Sequence, residues 1–106
     1  MELIEAVLAL AALAQETRLE IFRLLVQAGP QGLPAGEIAA RLNIPANTLS
    51  FHLSQLKQAG LAGCRRESRS LIYAAQYGKM NALLAYLTEN CCQGAVCAPN
   101  LQGACQ

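Results

Sequence analysis

Four of the five cysteines lie in the last sixteen residues, and they are the side chains best suited to chemistry. Cys91 and Cys92 are adjacent, Cys97 follows shortly after, and Cys105 comes near the end. Thiolates are soft donors, and several of them in one short segment can bind a single thiophilic ion. The spacing therefore predicts a binding site for a soft ion in residues 91–106.

Length and composition indicate a single small domain. With 106 residues the chain has room for one hydrophobic core, and a partner subunit would help to stabilise it. The apolar stretch Ala6–Ala14 is too short to cross a membrane, and Glu2 and Glu5 precede it where a secretory signal carries Lys or Arg. We therefore expect a cytoplasmic protein with reduced thiols, in which five cysteines indicate metal or redox chemistry rather than disulfides.

The formal net charge of +1 hides a strong asymmetry along the chain. Residues 1–40 carry five glutamates against two arginines, whereas residues 41–79 carry six cations against Glu67 alone. A local excess of positive charge is typical of a surface that contacts phosphates, although it is also found on ordinary solvated faces. The middle of the chain is the part in which nucleic-acid contacts are expected.

Helical periodicity dominates the first sixty residues. The pattern predicts a first helix with Ile4, Val7, Leu8 and Ala11 in one stripe, and a second that starts near Thr17 with Glu20 completing a capping box. A short helix, Gly36–Leu42, is separated from the next, Ala46–Ala59, by Asn43, a residue that tolerates the left-handed conformation of a tight turn. Gly60 is the expected C-terminal cap of the fourth helix.

Two short helices joined by a tight turn are typical of a DNA-binding helix-turn-helix. The outer face of the second helix carries small polar side chains that can hydrogen-bond to bases, and Phe51 can contact a thymine methyl group. The same face could equally be an ordinary solvated surface. The predicted DNA-contacting residues on this helix are Asn47, Thr48, Ser50, Phe51, Ser54, Gln55 and Lys57.

A β-hairpin is predicted next, from strands at residues 62–66 and 69–74 with Glu67 and Ser68 at the tip. Leu71 and Tyr73 alternate with Ser70 and Ile72 in the second strand. Arg65, Arg66 and Arg69 frame the tip and could lie along DNA phosphates. A last helix follows from about Gln76, with Met80, Leu83, Leu84 and Leu87 in a stripe, and is expected to run directly into Cys91.

Several segments, in order and at the right separations, resemble the ArsR family of metalloregulatory repressors. They are AQETRLEIFRLL (14–25), GEIAARL (36–42), TLSFHL (48–53), LKQAGL (56–61) and RESR (66–69). The resemblance implies a mainly α winged helix-turn-helix with a small β-hairpin as its wing, and a homodimer formed through the first and last helices. It further implies repression of a resistance operon by binding operator DNA, relieved by an inducer and with no cofactor needed for DNA binding.

The family uses several sensor sites, two of which this sequence lacks. Residues 33–42, where many arsenic sensors of the family place cysteines, contain none, and the Asp and His ligands typical of its zinc sensors are absent from the last helix. A vicinal Cys-Cys pair followed by a third cysteine resembles the alternative arsenic site of some members. The resemblance thus implies that As(III) or Sb(III) binds Cys91, Cys92 and Cys97.

Geometry is compatible with this inducer site. Trivalent arsenic prefers three thiolates in a pyramid, and adjacent helical residues diverge by about 100°, so Cys91 and Cys92 converge only where the helix frays. Gly94 allows the chain to turn back and bring Cys97 to the pair. Cys105 would be recruited by a four-thiolate site for zinc, cadmium or lead. The domain boundary is accordingly placed between a DNA-binding and dimerisation domain, residues 1–90, and a cysteine-rich tail, residues 91–106.

The same residues are compatible with other functions. The tail thiols could simply oxidise, or a disulfide among them could make the chain a redox-sensing repressor. An enzyme would need an activated cysteine beside a base or an anion-binding loop, and neither is visible. A metal-storage protein would leave the DNA-binding elements without a purpose. Cys64 is expected to be a small packed residue of the wing, and His52 a hydrogen-bonded structural histidine.

Overall fold

The computed structural model describes residues 1–94, which form a winged helix-turn-helix, as predicted. The helices pack around a three-stranded antiparallel sheet with strand order β1-β3-β2. The elements in chain order are α1 (Leu3–Leu13), α2 (Glu16–Ala28), β1 (Leu33–Pro34), α3 (Ala35–Leu42), α4 (Ala46–Gln58), β2 (Ala62–Glu67), β3 (Ser70–Ala75), α5 (Tyr77–Leu87) and a short 3₁₀ turn (Cys91–Gly94).

Helix α1 buries a different face from the one predicted. Ala6, Ala9 and Ala12 are buried against the rest of the domain, whereas the predicted stripe is exposed, with Ile4 at 66% and Leu8 at 56% of full exposure. Small alanines let α1 approach α2 and α4 closely, and the larger apolar side chains are left pointing away from the core. The exposed members of this outer face are Leu3, Ile4, Val7, Leu8 and Leu10.

The start of α2 also differs from the prediction. The helix begins at Glu16, so Thr17 lies within it and does not cap it. The side-chain oxygen of Gln15 accepts a hydrogen bond of 2.8 Å from the backbone N–H of Arg18 and satisfies one of the unpaired donors of the first turn. Ile21, Phe22 and Leu25 are the buried residues of this helix.

The two helices of the helix-turn-helix are joined as predicted. Asn43 ends α3 in the left-handed conformation, at φ 55° and ψ 52°. At the far end of α4, Gly60 has φ 80°, and the N–H of Leu61 donates to the carbonyl of Leu56 at 3.0 Å. This six-to-one bond is a Schellman cap, which stops α4 and directs the chain into β2.

The wing has a third strand that was not predicted. Leu33 and Pro34 form β1, which pairs with Tyr73 and Ile72 of β3. The approach depends on Gly32, because a Cβ there would lie 2.3 Å from the carbonyl oxygen of Tyr73. The side chains of β3 that face the core also differ from the prediction. Ile72 is buried, whereas Leu71 is 38% exposed.

Helix α5 ends before the cysteines instead of running into them. Its last residue is Leu87, and the hydroxyl of Thr88 donates to the carbonyl of Leu84 at 2.9 Å. Leu83 is buried, while Leu84 and Leu87 are both 54% exposed. Within residues 1–94, no helix is long and apolar enough to span a bilayer.

Candidate nucleic-acid interface and sulfur cluster

Helix α4 divides cleanly into an inner and an outer face. Leu49, His52, Leu53 and Leu56 are buried and fix the helix to the core. The predicted DNA-contacting residues lie on the other face, where Phe51 is 58% exposed and Gln55 is half-buried. The remaining members of that face are all exposed: Asn47, Thr48, Ser50, Ser54 and Lys57. The arrangement offers one aromatic, one cationic and several hydrogen-bonding groups to a ligand outside the domain.

Asn47, on the outer face of α4, already takes part in a local hydrogen bond. At the N-terminal end, the side-chain oxygen of Asn47 accepts a 2.9 Å bond from the N–H of Thr48. This bond occupies the amide oxygen but leaves the amide NH₂ able to donate. Asn47 can therefore donate to a base or phosphate acceptor without losing its local bond.

Three arginines on the wing were predicted to contact phosphates, and the environment of Arg65 differs from that of the other two. Arg65 donates to the backbone carbonyl of Gln31 and to the carboxylate of Glu67, both at 2.7 Å. Arg66 and Arg69 are exposed, and neither makes an ion pair within residues 1–94. Arg65 thus connects the wing to the loop before β1, whereas Arg66 and Arg69 present charges that a phosphate can neutralise.

The hairpin tip lies one residue later than predicted. Glu67 pairs with Ser70, so Ser68 and Arg69 form the two-residue turn, with Ser68 at φ 56°. Positive φ at the first turn position matches the twist of the flanking strands. Arg69 therefore lies at the outermost point of the wing.

His52 and Cys64 have the structural roles expected of them. His52 is only 9% exposed, and its Nδ1 lies 3.3 Å from a guanidinium nitrogen of Arg18. Burial first, and then the charge of Arg18, lower the pKa of His52. Cys64 is half-buried in β2 opposite Tyr73, whose pKa is raised by burial and by a hydrogen bond with the thiol. No sequence pattern pointed to Arg18, because its partner His52 lies thirty-four positions away along the chain.

The first two tail cysteines have thiols close together. The Sγ atoms of Cys91 and Cys92 are 3.3 Å apart. This approach follows from the backbone, because Asn90, Cys92 and Gln93 all have φ near +57° and the α-helix has already ended. The hydrogen bond with Cys91, followed by burial and by charge repulsion from Cys91, raises the pKa of Cys92 above its ordinary value. On an α-helix the two adjacent thiols would point in different directions. The backbone here brings them together instead.

The third predicted donor, Cys97, and the optional fourth, Cys105, lie outside the described residues. Within residues 1–94, no group of three or more His, Cys, Asp or Glu side chains is arranged to hold a metal ion. The described thiol pair supplies two donors, so a three-coordinate site needs one more from the tail.

A family model and a curated relative match this chain. The model, described as a helix-turn-helix domain, matches residues 13–62. The transcriptional activator HlyU of Vibrio cholerae is 33% identical over 89 residues, which cover 84% of this chain and 80% of HlyU. The match to HlyU extends well beyond the helix-turn-helix alone.

Solved structures share the fold. An ArsR-like transcriptional regulator from Rhodococcus sp. RHA1 has a TM-score of 0.70 and 30% identity, covering 79% of this chain and 76% of its own. A homodimeric winged helix-turn-helix domain from Mycobacterium bovis, described as a possible ArsR-family regulator, has a TM-score of 0.66 and 25% identity, covering 91% and 89%. A possible transcriptional regulator for arsenical resistance has a TM-score of 0.66 and 25% identity, covering 74% and 79%.

Proposed function

Because the chain belongs to the ArsR/SmtB family of winged helix-turn-helix transcriptional regulators, we propose that it represses a metalloid-resistance operon and leaves the operator when As(III) or Sb(III) binds. The inducer is held by the thiolates of Cys91, Cys92 and Cys97. The protein is a DNA-binding regulator and not an enzyme.

The strongest support for the inducer is the 3.3 Å separation of the Cys91 and Cys92 sulfurs. If each bond from sulfur to the ion is about 2.3 Å, as in zinc thiolates, this separation corresponds to an angle at the ion of about 90°. A tetrahedral ion prefers about 109°, which would require the sulfurs to lie about 3.8 Å apart. Two sulfurs at 3.3 Å can bind one ion together, and their spacing lies nearer to the pyramidal geometry of As(III) or Sb(III) than to the tetrahedral one.

Cys97 is the third donor in this arrangement, and Cys105 is not required. Four residues separate Cys97 from Cys92, and Gly94 is one of them, so the chain has enough length and freedom to return. Cadmium or zinc would favour a fourth thiolate and recruit Cys105. The number of thiolates bound to the ion therefore distinguishes the metalloid from the divalent metals.

Operator binding is assigned to the outer face of α4 and to the wing. The polar side chains of α4 would read base edges in the major groove, with Phe51 against a thymine methyl, while Arg66 and Arg69 neutralise phosphates. Arg65 contributes mainly by holding the wing in place through Gln31. The basic character of residues 41–79 supports this surface over the acidic N-terminal part.

The functional unit is proposed to be a homodimer formed through α1 and α5. Both helices expose leucine-sized side chains: Ile4 and Leu8 on α1, and Leu84 and Leu87 on α5, each more than half exposed. Contiguous apolar patches are typical of protein interfaces. A two-fold dimer would also present two recognition helices to half-sites about 34 Å apart.

Release is expected to follow from the position of the thiols at the end of α5. Only three residues separate Leu87 from Cys91, so an ion that closes the tail acts directly on a dimer helix. A small shift between the subunits moves the recognition helices out of register with the half-sites. Coupling of about 1–3 kcal/mol is typical and lowers operator affinity by roughly 5-fold to 150-fold.

The test is a DNA-mobility assay with a fragment of the protein's own promoter, titrated with arsenite, antimonite, cadmium, zinc and peroxide. Cys91→Ser, Cys92→Ser and Cys97→Ser should each retain DNA binding and lose release by arsenite. Cys64→Ser is the matched control, since its thiol lies in the wing, and it should respond like the wild type. Cys105→Ser should also remain inducible.

Each proposed element has its own contradicting result. A chain truncated after Asn90 that is still released by arsenite would exclude the tail as the site. Release by peroxide but not by arsenite would identify a redox sensor instead. A promoter that gains activity when the protein binds would establish activation in place of repression.

A further inference from the structure

Arg18 and His52 form a polar contact on the inner face of the recognition helix α4. The other buried residues of that helix are leucines. His52 is 9% exposed and lies between Leu49, Leu53 and Leu56 on the buried face. Arg18 is half-buried at the start of α2, thirty-four positions away in sequence. A buried polar pair of this kind costs desolvation and is retained only where both partners are satisfied.

The contacts of this pair link the last turn of α1 to Phe51 on the outer face of α4. The Nε of Arg18 donates at 2.7 Å to the carbonyl of Ala12, one residue from the end of α1. A terminal guanidinium nitrogen of Arg18 lies 3.3 Å from Nδ1 of His52. The His52 ring then meets the exposed ring of Phe51 edge-on, with centroids 5.5 Å apart. One arginine therefore joins the last turn of α1 to the inner face of α4.

Resting on the DNA-binding function proposed above, we propose that Arg18 and His52 are positioning residues that fix the recognition helix and Phe51 relative to α1. Neither residue touches DNA. Their effect is to hold the orientation in which the outer face of α4 meets the groove. Removing either partner allows α4 to shift on its apolar contacts alone and weakens operator binding.

The contact also sets the protonation state that DNA binding requires. A guanidinium group has only donors, so Nδ1 of His52 must accept and the ring must be neutral, with its proton on Nε2. Protonation would place two cations 3.3 Å apart in a partly buried site. Burial of the ring, and then the charge of Arg18 from α2, disfavour the protonated form and lower the pKa of His52. Operator affinity should therefore decrease as the pH falls below the ordinary range of histidine titration.

The experiment measures binding of a promoter duplex, labelled with a pH-insensitive rhodamine dye, by anisotropy between about pH 4.5 and 8 at constant ionic strength, a range that extends below the ordinary pKa of histidine. Arg18→Met and His52→Leu remove the contact while keeping similar bulk. His52→Gln retains an acceptor but cannot titrate, and Arg18→Lys keeps the charge. Arg23→Met is the matched control, because it removes an exposed cation from the same helix. Thermal melting by circular dichroism reports on folding in every variant.

We expect Arg18→Met and His52→Leu to weaken binding at pH 7.5 by roughly tenfold, and Arg23→Met by less than about twofold. His52→Gln should bind within about threefold of the wild type at pH 7.5 and lose the decrease on the acid side. Equal affinity of Arg18→Met, His52→Leu and the Arg23 control would overturn the positioning role. An unchanged loss of operator affinity at acid pH in His52→Gln would also overturn the proposal. This result does not depend on whether the apolar variants fold. A wild-type chain that does not bind its promoter would refute the proposed function instead.

Discussion

The exposed leucines of α5 provide a direct test of the proposed dimer. Among residues 1–94, Leu84 and Leu87 leave two large apolar side chains, each 54% exposed, on adjacent turns of the helix. We consider the double substitution Leu84→Ala and Leu87→Ala. Alanine keeps the helix propensity of α5 and removes most of the apolar surface available to a partner.

The magnitude follows from the area still exposed. Complete burial of a leucine stabilises by about 1.5–3 kcal/mol, and roughly half of that remains to be gained here, about 1 kcal/mol for each side chain. A two-fold interface contains each residue twice, so four leucines are lost. Allowing for the methyl group that alanine retains, the dimer should weaken by about 3 kcal/mol, which is about 140-fold in its dissociation constant.

Sedimentation equilibrium over a range of protein concentrations measures this constant directly. Leu71→Ala is a suitable control, since Leu71 is also an exposed apolar residue, at 38%, but lies on the wing. The control should dimerise like the wild type. A dimer constant that changes by less than about threefold in the double variant would show that α5 does not supply the interface, and the reasoning from exposed area would fail.

Three further predictions concern the wing, the thiols and the sheet. Arg66→Ala and Arg69→Ala should each reduce the slope of log affinity against log salt by about 1, measured by anisotropy, whereas Arg65→Ala should change the slope less because its charge is already paired. Arsenous acid and three thiols form three As–S bonds with loss of three waters and no proton, whereas cadmium displaces a proton from each thiol. Because the raised pKa of Cys92 keeps its thiol protonated near neutral pH, arsenite affinity should be flat from pH 6 to 8 and cadmium affinity should rise with pH, as equilibrium titrations would show. Equal pH slopes for the two ions would contradict the site's assignment. Gly32→Ala should destabilise the fold by about 2 kcal/mol or more in urea unfolding, because its φ of 74° is left-handed and the new methyl would meet the Tyr73 carbonyl.

Elements that depend on local chemistry could be predicted from the sequence. Asn43 was expected to adopt the left-handed turn and does so, and Gly60 was expected to cap α4 and lies at the Schellman position. The outer face of α4 was also predicted correctly, because Leu49, Leu53 and Leu56 recur at helical spacing and leave the polar residues on the opposite side. In each case a single residue type or a short-range period carries the information.

Elements that depend on distant partners could not be predicted. Helix α1 is apolar almost all round, so its period does not say whether the alanines or the leucines face the core. Strand β1 has two residues, too few for an alternating pattern, and exists only because β3 lies beside it. Leu71, Ile72 and Tyr73 are consecutive apolar residues, and their run gives no phase for the strand.

The thiol pair and the recognition helix are each linked to one of the two proposed dimer helices. The C-terminal end of α5 leads into the Cys91 and Cys92 thiols, and the C-terminal end of α1 accepts the hydrogen bond of Arg18, which contacts the recognition helix. If α1 and α5 form the dimer, inducer and operator both act on the same interface. Coupling through one interface is reciprocal, so a factor by which arsenite weakens operator binding must equal the factor by which operator weakens arsenite binding. Arsenite titrations with and without saturating promoter duplex should therefore give the same ratio as the operator titrations, and unequal ratios would mean that arsenite removes the protein from the operator through an irreversible step rather than through a linked equilibrium.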